Sequence, residues 1–161
     1  MEILKFPHPS LKTVCSEVTV FGPELKILLE AMWETMKNAK GIGLAANQVG
    51  LSQRMFVMEG PNEEKIFAVN PMIIRKGLNV STLKEGCLSF PGEVLYTRSR
   101  YDFIEVRYQD ENGKLNGWTL SGIYSVAFQH ELDHINGITF IESKGLPREK
   151  RRYLAKKWKL K

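Results

Sequence analysis

The chain has 161 residues, of which 43% are hydrophobic and 25% charged, and carries a formal net charge of +5. This length and balance fit one compact globular domain over 1–161 with a real core and argue against a second. No apolar run approaches the length needed to cross a bilayer, and Met-Glu-Ile-Leu-Lys-Phe-Pro at the start lacks the continuous apolar region of a signal peptide. A soluble, cytoplasmic protein with no membrane partner and no specific DNA target is expected.

Near the start, His8 lies between Pro7 and Pro9 and reads as a surface residue, while Cys15 reads as a small packing residue. Two cysteines in a chain without an export signal are more often free thiols or metal ligands than a disulfide. Pro23 suits a first helical position, and Leu25, Leu28, Leu29, Met32 and Met36 then recur at helical spacing until Lys40-Gly41. This pattern predicts an amphipathic helix of about four to five turns. The stretch Gly41–Gln48 is too short for an element of its own and too apolar for an exposed loop, so another part of the chain must pack on it.

Strand-like runs follow at Arg54–Met58, Lys65–Asn70, Met72–Lys76, Glu93–Tyr96 and Phe103–Gln109, rich in Val, Ile, Phe and Tyr. Asn112-Gly113 predicts a hairpin joining Ile104–Gln109 to Lys114–Leu120. Ser121 is placed to cap a helix in which Ile123, Val126, Ala127, His130 and His134 share one side, stopped by Asn136-Gly137. A last helix is expected from Pro147 to near the terminus, docked by Tyr153, Leu154 and Trp158. Strands followed by an inserted helix give an α+β class. Trp33, Trp118 and Trp158 are dispersed and read as core or docking aromatics.

The chemistry concentrates in His130-Glu131-Leu132-Asp133-His134. Imidazoles four residues apart on a helix share a face and can grip one metal ion, while Glu131 projects beside the ion and is placed to move protons to and from water. Hydrolytic sites usually have three protein ligands, so the third decides the kind of enzyme. The downstream pattern reaches Gly137 as in metzincin proteases, but Phe140 stands where a third histidine is needed. Glu142 is the nearest downstream carboxylate. Upstream, Cys87 lies in the short run Glu85-Gly86-Cys87-Leu88-Ser89 and reaches the helix only if its loop folds over it.

Three separated motifs, Gly41-Ile42-Gly43-Leu44-Ala45-Ala46-Asn47-Gln48, Glu85-Gly86-Cys87-Leu88-Ser89 and Gln129-His130-Glu131-Leu132-Asp133-His134, together resemble the peptide deformylase family in order and spacing. The resemblance covers nearly the whole chain. It implies antiparallel sheets packed around a central metal-binding helix, with an N-terminal and a C-terminal helix. It also implies removal of the formyl group from N-formylmethionyl nascent peptides.

By the same resemblance, Cys87, His130 and His134 bind one divalent ion, natively Fe(II), with Zn, Ni or Co also accepted. Glu131 is the proton acceptor, and Gln48 together with the Leu88 N–H faces the formyl oxygen. Ile42, Gly43 and Gly86 contact the peptide, and Ile42, Ile123, Val126 and Ala127 wall the methionine pocket. Asp133 anchors the helix through Arg98 or Arg100, and Glu85 orients the cysteine loop or the substrate backbone.

Two rivals remain open at this point. One is an endopeptidase with a downstream third ligand, and the other a nucleic-acid or ribosome-binding module with a closed structural metal. Lys144, Arg148, Lys150, Arg151, Arg152, Lys156, Lys157, Lys159 and Lys161 face only Glu149 in the last stretch. That tail is either a ribosome contact or a solvated helix end favoured by the macrodipole.

Overall fold

The computed structural model describes residues 1–96, 99–142 and 145–159. Alternation along the strands builds a sheet with two buried faces. Strands β1 (Gly43–Ala45), β2 (Met55–Glu59), β3 (Lys65–Lys76), β6 (Phe103–Gln109) and β7 (Leu115–Ser121) pair antiparallel in the order β1-β2-β3-β6-β7. On one face, Met55, Val57, Phe67 and Val69 pack with Leu25, Leu29, Met32 and Met36 of α1 (Pro23–Asn38). On the other, Phe56, Met58, Ala68, Ile104 and Leu120 pack with Ala127, Phe128 and Ile135 of α2 (Gly122–Ile135).

A third apolar cluster covers the outer side of the cysteine loop. It joins Phe90 and Leu95 to Phe6, Phe140, Leu154 and Trp158 beneath α3 (Arg148–Lys159). The hairpin β4 (Lys84–Gly86) and β5 (Val94–Tyr96) pairs Glu85 with Leu95 and presents that loop to α2. The α+β class read from the strand and helix order stands, as do the antiparallel sheets around a central helix that the resemblance implies.

Several local expectations need correction. Gly41–Gln48 does carry structure of its own, a three-residue strand and a 3-10 turn over Ala46–Val49, because pairing with β2 supplies the hydrogen bonds so short a segment lacks alone. Lys65–Asn70 and Met72–Lys76 form one strand with register shifts, and the Asn70 side chain exchanges hydrogen bonds with the Val18 backbone at the irregularity. Ser121 occupies the N-cap position but its side chain caps nothing, since the residue also closes β7. Gly137 stops α2 with φ of 72°, and a Cβ there would meet the Lys12 carbonyl at 2.6 Å.

Tyr153 is 54% exposed and does not dock α3. Leu154 and Trp158, four residues apart on one face, are buried in its place. Lys157 is not a free tail charge, because it pairs with buried Glu93. Trp118 is partly buried against the sheet. Among the described residues no helix is long and apolar enough to cross a membrane.

Candidate metal centre

Helix α2 carries the two imidazoles on its buried face. His130 Nε2 lies 3.1 Å from His134 Nε2, and Cys87 Sγ lies 3.2 Å from His134 Nε2. The three donor atoms all fall within 4.8 Å of one another, and all three residues are buried. Two ring nitrogens and a thiol sulfur facing one point have no purpose in apolar packing, whereas they form a donor set suited to Zn, Fe, Co or Ni. Among the described residues no fourth such ligand joins them.

The loop that delivers Cys87 folds as a tight turn in which the Phe90 N–H donates to the Cys87 carbonyl at 2.9 Å. Phe90 then anchors the turn, with its ring edge-on to Trp158 at 5.4 Å and tilted against Phe140 at 5.7 Å. Phe140, which stands at the metzincin histidine position, packs edge-on against His130 at 5.4 Å. Glu142 is committed to Lys12 at 2.7 Å and to the Thr139 hydroxyl at 2.7 Å, away from the imidazoles. The downstream-ligand rival finds no support in that arrangement.

A buried charge network sets the orientation of His130. Its Nδ1 sits 2.6 Å from Glu85 Oε2, and Arg100 forks onto the same carboxylate with both bonds at 3.1 Å. Arg100 Nη1 also donates to Asp133 at 2.6 Å and to the Gln129 carbonyl at 3.3 Å. Arg100 is thus the partner that the sequence left open for Asp133, while Arg98 lies outside the described residues. Glu85, which opens the cysteine run, has its carboxylate on the His130 imidazole and on Arg100. A carboxylate on the far ring nitrogen fixes the tautomer and turns Nε2 toward the donor cluster.

Burial works against the ionised form of Glu85, but the hydrogen bond and charge of His130 and the Arg100 guanidinium outweigh it and hold the carboxyl below its usual range. Burial likewise opposes charge on Arg100, and Glu85 and Asp133 together reverse that effect. His134 is driven well below the ordinary imidazole value by burial first, then by the positive charges of His130 and Arg100.

Glu131 differs from Glu85. Burial pushes its pKa up to about 7, against the lowering effect of His130 and Arg100, and its Oε2 is buried without a hydrogen-bond partner among the described residues. An orphaned carboxylate oxygen beside three converging donors is the observation that fits a metal with a water beside it. Gly43 makes room for that carboxylate, since a Cβ there would lie 2.8 Å from Glu131 Cγ and Cδ.

The Gln48 side chain is fixed in one orientation. Its Oε1 accepts the Ala45 N–H at 2.8 Å, so Nε2 faces Ser89 Oγ at 3.1 Å and Cys87 Sγ at 3.7 Å. Asn47 donates through Nδ2 to the His134 carbonyl and to the Thr13 carbonyl, tying the same loop to the end of α2. Ser89 and Asn47 lie inside the quoted motifs, yet no local signal assigns either a role.

A cavity of ≈ 490 Å³ opens onto this cluster. Gln48, Cys87, Leu88, His130 and Glu131 line it, as do Ile42, Gly43, Gly86, Ile123, Val126 and Ala127, so every sequence-predicted peptide and pocket residue borders one space. Ile123 is 52% exposed and stands at its rim, not on a buried face as expected. Lys5, Lys40 and Lys84 also border it. Their positions rest on tertiary folding and left no motif to find.

An HExxH helix crossed by a cysteine turn in an α+β fold, with an ion site open to a cleft, defines the class: a mononuclear metal hydrolase. The profile of the family described as polypeptide deformylase matches residues 1–150. Peptide deformylase 1 of Bacillus anthracis is 44% identical over 143 residues, covering 87% of this chain and 89% of that protein. The peptide deformylase of Chromobacterium violaceum is 40% identical over 146 residues, covering 88% and 85%. The crystal structure of peptide deformylase from Thermus thermophilus superposes with a TM-score of 0.88 at 39% identity, over 98% of this chain and 92% of that one. The chain belongs to the polypeptide deformylase family and is a metal-dependent enzyme.

Proposed function

We propose that Cys87, His130 and His134 hold one divalent ion, natively Fe(II), with Zn, Ni or Co as substitutes, and that this centre carries the family's reaction. That reaction is removal of the formyl group from the N-terminal formylmethionine of nascent polypeptides. The observation that carries the assignment is the convergence of Sγ and two Nε2 atoms within 4.8 Å beside the unpartnered Glu131 carboxylate. An ion there supplies Lewis acidity and lowers the pKa of water from about 15.7 toward roughly 7.

The chain's own residues do the rest. Glu131 accepts a proton from the attacking water and returns it to the leaving amine, and its burial favours taking up that proton. Gln48 Nε2, locked by its bond from Ala45, and the Leu88 N–H donate to the formyl oxygen as negative charge builds on it. The carbon–nitrogen bond breaks, giving formate and a free amino terminus.

The peptide lies along β1, which ends the five-stranded sheet and leaves one edge for an added strand. Ile42, Gly43 and Gly86 contact its backbone, and Ile42, Ile123, Val126 and Ala127 receive the methionine side chain. One methylene in such a pocket is worth only about 1 to 3 kcal/mol, so norleucine-like residues are accepted with graded loss.

The enzyme acts in the cytoplasm as one domain, and α3 offers Arg148, Lys150, Arg152 and Lys156 to the ribosome; Lys144 and Lys161 lie outside the described residues. Anaerobic purification with elemental analysis, followed by formate release from formyl-Met-Ala-Ser, tests the central reading. One ion per chain and stoichiometric formate are expected, and formate release from metal-free protein would overturn it. Reversing the charges of Arg148, Lys150, Arg152 and Lys156 should abolish ribosome co-sedimentation, and unchanged co-sedimentation would remove that partner.

A further inference from the structure

Three consecutive residues near the N-terminus each donate a hydrogen bond to the loops that flank the formyl site. The Leu4 N–H reaches the Gln48 carbonyl at 2.8 Å, Lys5 Nζ the Leu88 carbonyl at 2.6 Å, and the Phe6 N–H the Ser89 carbonyl at 3.1 Å. Gln48 and Leu88 belong to different loops, joined on the reacting side by Gln48 Nε2, which donates to Ser89 Oγ and to Cys87 Sγ. The segment Leu4–Phe6 spans both loops, with Lys5 bordering the cavity.

The segment is itself anchored. Phe6 is buried and stacks on Phe90 with ring centroids 5.0 Å apart. Farther along, Ser10 Oγ donates to the Asn47 carbonyl at 2.8 Å, so two successive carbonyls of the Gln48 turn are held by the N-terminal stretch. Lys5 differs from its neighbours in being exposed and in contributing a side chain where they contribute backbone.

We infer that Leu4–Phe6 is a clamp that sets the separation of the Gln48 amide and the Leu88 N–H, with Lys5 as a positioning residue. The inference rests on reading Gln48 and Leu88 as the two donors to the formyl oxygen. Two donors stabilise a developing charge only when both are aimed at one point, and small misplacements are costly in rate. Without Nζ, the Leu88 carbonyl loses its charge-assisted donor, and the turn from Cys87 to Phe90 and the packing of the Leu88 side chain against the α1 cluster remain to hold that residue.

The competing role for Lys5 is a cation at the cleft mouth that attracts substrate, and the two roles separate in steady-state kinetics. Formate release from formyl-Met-Ala-Ser is measured for Lys5→Met, Lys5→Arg, Gln48→Ala and the Lys5→Met/Gln48→Ala pair, with metal per chain determined for each. The clamp predicts that Lys5→Met lowers kcat about three- to tenfold with KM and metal content held, and that Lys5→Arg restores most of it. It also predicts that Lys5→Met costs less in the Gln48→Ala background than alone. An unchanged kcat, a rise confined to KM, or failure of Lys5→Arg to rescue overturns the clamp where Gln48→Ala still collapses turnover. Should Gln48→Ala leave kcat intact, the donor reading falls first and the clamp with it.

Discussion

Charge is handled differently beneath α2 and beneath α3. Under α2, the Arg100 side chain keeps 7% of its surface exposed and meets Glu85, Asp133 and the Gln129 carbonyl at once. Under α3, Lys157 reaches one carboxylate, Glu93, with 38% of its side chain still in water. The first arrangement over-determines the direction of His130, while the second leaves docking to Leu154 and Trp158 and uses the ion pair to cover a buried acid. Charges that aim a catalytic group are buried and multiply bonded; charges that seat a peripheral helix are single and wet.

The largest effects should come from the α2 side. Glu131→Ala removes the proton carrier without touching the donor atoms, so kcat for formate release should fall by about 10² to 10⁴ with metal content unchanged. Retention of near-native turnover would show that the orphaned carboxylate is incidental. Arg100→Met leaves Glu85 and Asp133 without their shared cation, and urea denaturation should report a loss of roughly 3 to 5 kcal/mol. A loss under about 1 kcal/mol, the range of an exposed pair, would erase the contrast between the two regions.

On the α3 side, Trp158→Ala should cost about 3 kcal/mol, seen as faster amide exchange confined largely to α3. Lys157→Met should act more weakly and with a defined pH dependence. Burial opposes ionisation of Glu93, but Lys157, with help from a Trp158 hydrogen bond and the Lys150 charge, outweighs it and holds the carboxyl below its usual range. The pair's contribution is therefore present above the unfolded glutamate value of about 4.3 and disappears as pH falls through the lower native value. Exchange rates of wild type and Lys157→Met should converge below that window; a difference that persists in acid would contradict the assignment. Smallest of all, Lys12→Ala breaks an exposed pair with Glu142 and should change stability by at most about 1 kcal/mol.

The same contrast explains what could be read from the chain. Helix α1, the Asn112-Gly113 hairpin and the HExxH face of α2 follow from periodicity and turn chemistry within a few residues, and those signals survive folding. The pairing of Asp133 with Arg100, the seat of Glu85 on His130 and the capture of Lys157 by Glu93 join residues that only the fold brings together. Tyr153 failed as a docking residue because it lies about 100° round the helix from Leu154, off the face that Leu154 shares with Trp158 four residues on. Gly41–Gln48 hid a strand because its hydrogen-bond partners lie in β2. The clamp at Leu4–Phe6 works largely through backbone groups, which every sequence has, and so leaves no trace in residue type.

One sulfur and two imidazole nitrogens sharing an ion underlie everything the site is proposed to do. X-ray absorption at the metal edge of the anaerobically purified enzyme tests this most directly. It should report one sulfur and two imidazole nitrogens in the inner shell, with the sulfur lost in Cys87→Ala. A shell without sulfur, or one closed by four protein donors, would contradict it.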